Sequence, residues 1–112
     1  PNIVLMTPSN EQDLWKMLST GLNCKGIGAV RYPRGFSHGL DLDLSNECIP
    51  IGKSKTILKG KKIAYMVFGT LLKIVLDVAK GNGATVIDMR FVKPIDEDVI
   101  ISLCQTYDYI FS

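Results

Sequence analysis

Apolar residues in this chain fall into short continuous runs alternating with stretches of helical period, the pattern of parallel strands covered on both faces by helices. Ile3-Val4-Leu5-Met6 predicts the first strand. Ser9 followed by Gln12 has the spacing of a capping box, and Leu14, Leu18 and Leu22 then recur at helical spacing beside Trp15 until Gly21 and Asn23 end the helix. A strand from Ile27 to Tyr32 completes a strand–helix–strand unit with a right-handed crossover, too small to stand alone and expected to be the edge of a larger sheet. Residues 36–48 read as a linker, because Phe36-Ser37-His38-Gly39 is loop chemistry and turn residues bound the alternation Leu40-Asp41-Leu42-Asp43-Leu44.

Beyond the linker, Ile49 to Leu58 and Lys62 to Phe68 predict a strand pair turning at Lys59-Gly60-Lys61. Leu72, Val75, Leu76 and Ala79 mark the apolar face of a helix that Gly81-Asn82-Gly83 stops. A strand Ala84 to Asp88, a loop through Pro94 and a helix from Asp96 to about Thr106 follow, with Asp96 as N-cap and Val99, Ile100 and Leu103 inward. The fold class is α/β, in two units, 1–35 and 49–112. Pro1 is not an initiator methionine, and the chain stops as a strand begins at Tyr109-Ile110-Phe111; strands at both ends would expose unpaired backbone, so the expectation is an internal piece of a longer protein.

Composition narrows the function classes. A 112-residue chain with 46% hydrophobic residues can bury one modest core, and a net charge of +2 is too small to argue for nucleic acid. The basic residues Lys53, Lys55, Lys59, Lys61 and Lys62 are interleaved with isoleucine and leucine, as in a solvated strand pair. No apolar run approaches the ~18–20 residues of a membrane span, and a signal-peptide pattern is lacking. Cys24, Cys48 and Cys104, odd in number and far apart, argue against a disulfide framework or a zinc ribbon and suit a reducing cytosol.

Several patterns imitate sites without completing them. Gly52-Lys53-Ser54 ends like a phosphate-binding loop, but Glu47 stands where its first glycine belongs. Asp41, Asp43 and Ser45 begin like a calcium loop, yet Asn46 and Gly52 occupy the positions of its glycine and its bidentate glutamate. Gly81-Asn82-Gly83 follows a helix rather than a strand, so it is a helix stop and not a dinucleotide fingerprint. His38 lacks an orienting partner in sequence and reads as exposed. Asp96, Glu97 and Asp98 favour the positive end of a helix dipole. Asp88 and Arg90, at a strand end, read as a pair that fixes the loop before Pro94.

One run carries more. In Tyr32-Pro33-Arg34-Gly35, Pro33 fixes its own φ and extends Tyr32, which directs Arg34 off the strand end, and Gly35 is expected to let the backbone turn. A guanidinium there can hold a phosphate or carboxylate, or can be solvated, or can pair with Asp41 or Asp43.

Arg31-Tyr32-Pro33-Arg34-Gly35 and Asp88-Met89-Arg90-Phe91-Val92-Lys93-Pro94-Ile95-Asp96, with Met6-Thr7-Pro8-Ser9 and Phe68-Gly69-Thr70-Leu71 in order between and before them, resemble the 1-deoxy-D-xylulose-5-phosphate synthase family of the transketolase superfamily. The resemblance runs from about Ile3 to the last residue. It implies the end of a pyrimidine-binding domain over 1–35, the linker 36–48 and a truncated transketolase C-terminal-like domain over 49–112. It also implies a transferase that uses thiamine diphosphate and Mg2+, condenses pyruvate with glyceraldehyde 3-phosphate for isoprenoid, thiamine and pyridoxal synthesis, and acts as a cytoplasmic (in a eukaryote, plastid) homodimer. Arg34 matches the family arginine that binds the substrate phosphate. The cofactor ligands and catalytic residues would lie before Pro1, in the remainder of the parent chain, with no catalytic residue in this piece. The β subunits of 2-oxoacid dehydrogenases share the Asp88 to Asp96 pattern but not Tyr-Pro-Arg-Gly, and a non-catalytic transketolase-like interaction domain is the competing class.

Overall fold

The computed structural model describes residues 2–35 and 43–112. Strand β1, Ile3–Met6, and helix α1, Glu11–Asn23, lie where the apolar pattern puts them, and β2, Ile27–Val30, pairs parallel to β1 with Ile3 opposite Ile27. β2 stops two residues before Tyr32, short of the expected end. The cap of α1 is Asn10 rather than Ser9: its side chain accepts the Asp13 N–H at 2.9 Å, while the Ser9 hydroxyl donates to the Asp13 carboxylate at 3.0 Å. Gln12, free of any box, instead exchanges two hydrogen bonds with the backbone of Asp43, at 2.8 and 2.9 Å.

The buried face of α1 also differs from the leucine stripe. Asp13, Met17 and Thr20 point inward, whereas Leu18 is 44% and Leu22 88% exposed. Close approach explains the choice: a Cβ at Gly28 would lie 2.7 Å from the Gly21 Cα, so helix and strand can touch only through their glycines, and that contact turns Met17 and Thr20 inward. Segment 43–49 runs along α1, held by Trp15 Nε1 to the Ser45 carbonyl at 3.1 Å, by a Lys16–Glu47 ion pair and by the Ile49 N–H to Thr20 Oγ1 at 2.8 Å.

The second unit is a four-stranded sheet of β3 (Lys55–Leu58), β5 (Thr85–Asp88), β4 (Ile63–Val67) and β7 (Tyr109–Phe111), in that order. β3 and β4 are therefore not a hairpin. β5 lies between them, antiparallel to β3 and parallel to β4, and β7 is parallel to β4. The connection from β3 to β4 crosses β5, where the Gly60 N–H donates to Thr85 Oγ1 at 2.8 Å and a Cβ on Gly60 would run into the Gly83 and Ala84 backbone. Helix α2, Leu72–Asn82, covers one sheet face through Leu72, Val75, Leu76 and Ala79, as its period predicts, and ends on Gly83 at φ 66°. Helix α3, Glu97–Thr106, covers the other face with Val99, Ile100 and Leu103 against Ala64, Ile87 and Met89.

The stretch read as a loop after Asp88 contains a strand, β6 (Phe91–Lys93), which leaves the second sheet and pairs antiparallel with β1. Fully buried Phe91 packs there against Met6, Met17 and Ile49. A three-residue strand whose partner is more than 80 positions away has no local period to reveal it.

Asp96 occupies the N-cap position of α3, as expected, but its carboxylate is turned chiefly to Ser54 rather than to the helix. Buried at 3% exposure, it accepts the Ser54 N–H at 2.8 Å and the Ser54 hydroxyl at 2.9 Å, with Lys53 Nζ 3.5 Å away. Burial alone would raise this carboxyl, yet the Ser54 bonds and Lys53 hold it below the usual carboxylate range. Asp96→Ala is expected to cost about 1.5–3 kcal/mol at neutral pH, the scale of hydrogen bonds to a charged group. Since the folded-state value is depressed, the stabilisation is present above the unfolded-state value and is lost as pH falls through the folded one. Denaturant titrations of wild type and variant across that acid range should converge; a constant gap would remove the charged form from the argument.

Candidate functional site

Three chain segments meet where the strands end. Thr7 and Pro8 follow β1, Arg31 to Pro33 follow β2, and Phe68 to Leu71 follow β4; together they line a groove of about 280 Å³. Sites in α/β sheets collect at such carboxyl ends. The Arg31 N–H still bonds the Met6 carbonyl at 2.9 Å, so the arginine segment departs from a fixed point. Gly69, at φ 66°, starts a 3-10 turn over Gly69–Leu71 that leads into α2. A Cβ at Gly69 would lie 3.5 Å from the Pro8 carbonyl oxygen, which shows how closely the two walls approach.

Arg31, Tyr32 and Arg34 are exposed, and no carboxylate among the described residues lines the groove. Arg34 itself stands just beyond the groove lining, with no ion-pair partner among the described residues. Of the two acids that could have neutralised it, Asp43 is otherwise engaged: its carboxylate takes the Ser45 N–H and hydroxyl, both at 3.0 Å, and these hold it below the usual carboxylate range. Asp41 and His38 lie outside the described residues. Among the described residues a Cβ at Gly35 would meet nothing within 4 Å, and its φ is not in the left-handed region, so none of them requires a glycine there. The chemistry on offer is a cationic strand end beside hydroxyls from Thr7 and Thr70, suited to binding an anion and containing, among the described residues, no nucleophile paired with a base.

Beneath the groove, Asp88, Arg90, Asp13 and Ser9 form a partly buried polar cluster. The Arg90 N–H donates to Asp88 Oδ1 at 3.2 Å, the backbone pairing expected of these two, but the guanidinium turns away to Asp13, with Nη2 to Oδ1 at 3.4 Å. Burial pushes the Asp88 carboxyl up and the nearby Asp13 adds to it; the Ser9 hydroxyl and Arg90 oppose them. Asp13 was not signalled by the sequence, where an acid in a first helical turn reads as a dipole partner. Nothing in this set resembles a cofactor cradle, and no group of three or more histidine, cysteine, aspartate or glutamate residues among the described residues could hold a metal. All three cysteines are free.

Comparison with known proteins gives three consistent findings. The profile of the transketolase C-terminal domain matches residues 52–111. The chain is 52% identical over 98% of its length to 1-deoxy-D-xylulose-5-phosphate synthase of Haemophilus influenzae and 44% identical over 96% to that of Aeromonas hydrophila. It spans 17% of the length of each of these relatives. Among solved structures, a chain described as a split gene transketolase, an inactive β4 tetramer, superposes over the whole of this chain and 39% of its own length with a TM-score of 0.80 at 19% identity, a likeness of fold.

Proposed function

The chain belongs to the transketolase C-terminal domain family, and on that premise we propose that it is the carboxyl-terminal part of a 1-deoxy-D-xylulose-5-phosphate synthase. The parent joins the two-carbon unit left by decarboxylation of pyruvate to glyceraldehyde 3-phosphate, for isoprenoid, thiamine and pyridoxal synthesis. The identity of 44–52% across nearly the whole chain carries this reading. The two regions 1–35 and 49–112 are then the end of the pyrimidine-binding domain and most of the C-terminal domain, in a cytoplasmic homodimer.

Thiamine diphosphate, when bound, supplies the carbanion chemistry. The described residues of this chain do not fit that group, since among them there is no cluster of metal ligands and no diphosphate cradle; on this reading it and its Mg2+ are held by the remainder of the parent chain. What this chain contributes is binding and orientation. Arg34, presented at the end of the β2 segment beside the groove, holds the phosphate of the acceptor, and Arg31 adds a second positive charge on the groove wall. Fixing the phosphate orients the aldehyde at the other end of the substrate, which lowers the entropic part of the barrier.

Product analysis of the full-length parent tests this. Supplied with pyruvate, glyceraldehyde 3-phosphate, thiamine diphosphate and Mg2+, it should release CO2 and form 1-deoxy-D-xylulose 5-phosphate. Acyl transfer to a lipoyl group in place of this product would favour a 2-oxoacid dehydrogenase subunit, and no turnover with either acceptor would favour a non-catalytic module.

A further inference from the structure

Arg90 carries two costs at once. It adopts φ 60°, a left-handed conformation uncommon outside glycine, and its buried Nε has no hydrogen-bond partner among the described residues. Costs of this kind persist where surrounding structure imposes a geometry for function. The position of Arg90 shows what that geometry controls. The N–H of Met89 donates to the Val67 carbonyl at 2.9 Å, at the end of β4, and the Arg90 carbonyl accepts the Thr7 N–H at 2.8 Å, just past β1. Two consecutive residues thus tie together the strand ends from which the groove walls, Thr7-Pro8 and Phe68-Gly69, emerge. The left-handed turn at Arg90 lets the chain pass from one sheet to the other between those bonds, and the guanidinium, with its side chain 16% exposed, reaches across to Asp13 on α1, 11% exposed.

We propose that Arg90, clamped to Asp13, is a positioning residue that sets the separation of the groove walls and so the placement of the phosphate-binding segment Arg31 to Arg34. It touches no substrate. It acts through Thr7, whose neighbour Met6 holds the Arg31 N–H. This rests on the acceptor-phosphate reading of the groove, so the test carries a control for that reading.

In the full-length parent, Arg90→Lys keeps the charge and removes the planar fork, Arg90→Gly relaxes the backbone and removes the side chain, and Asp13→Asn removes the partner charge. Each is expected to raise the KM for glyceraldehyde 3-phosphate, by up to about 100-fold for a displacement on the order of 1 Å, and to leave the KM for pyruvate unchanged. Millimolar guanidinium should restore part of the loss in Arg90→Gly. Asp13→Asn in the Arg90→Gly background should add little, because the two act as one unit. Equal rises for both substrates, or an unchanged aldehyde KM in folded Arg90→Lys, would overturn the proposal. Arg34→Ala separates the two levels: if it raises the aldehyde KM and Arg90→Lys does not, the clamp alone fails, whereas if Arg34→Ala has no effect, the phosphate reading fails and the clamp proposal with it.

Discussion

Arg34→Ala in the full-length parent is expected to raise the KM for glyceraldehyde 3-phosphate roughly 10- to 100-fold, the loss of a charge-assisted hydrogen bond of ~1.5–3 kcal/mol. The pyruvate KM should hardly move. The guanidinium is exposed, and among the described residues it has no carboxylate partner and the groove beside it no acid, so none of them neutralises its charge before substrate arrives. Arg34→Lys should recover only part of the loss, because an ammonium cannot offer two parallel N–H donors to a phosphate. Steady-state kinetics with glyceraldehyde as an unphosphorylated acceptor supplies the control: the wild type should use it poorly, and the variant should use it no worse than the wild type does. Equal losses for both acceptors would take Arg34 out of the phosphate site.

The largest structural effect is expected at Phe91. Its ring is fully buried among Met6, Met17 and Ile49, and it is the side chain by which β6 is fastened to β1. Phe91→Ala should cost about 3–5 kcal/mol, the lost transfer free energy plus that of a cavity a three-residue strand cannot close. That is a large share of a total stability of about 5–15 kcal/mol. Val92→Ala, one position along and 43% exposed, should stay within about 0.5 kcal/mol. Denaturant midpoints of the two variants measure the contrast, and similar losses for both would mean that β6 does not hold the two sheets together. Phe91→Ala should also loosen the groove, since Arg90 precedes it directly.

Local pattern revealed the elements whose cause is local. Ile3 to Met6 is a continuous apolar run and is a strand over those residues. The spacing of Leu72, Val75, Leu76 and Ala79 identified the inner face of α2, and Gly83 its stop. The failures share one cause, a partner distant in sequence. Leu14, Leu18 and Leu22 make a more apolar stripe than the face that is buried, but the contact of Gly21 with Gly28 decides which way α1 turns. The β3–β4 hairpin was plausible from its turn residues, and only the insertion of β5 between the strands excludes it. Asp96 is a good cap by type, yet Ser54, 42 positions earlier, takes its carboxylate. Near the groove, the place of Arg34 just past β2 was legible because proline and glycine flank it in sequence. Asp13 was not, because its role depends on Arg90, which is 77 positions away.

The most direct measurement is a crystal structure of the full-length parent with glyceraldehyde 3-phosphate bound. The phosphate oxygens should lie within hydrogen-bond distance of the Arg34 guanidinium, at the ends of β1 and β2, with the thiamine diphosphate ligands all contributed by residues that precede this chain. A phosphate held elsewhere, with Arg34 still solvated or turned to Asp41, would contradict the assignment of this strand end to substrate binding.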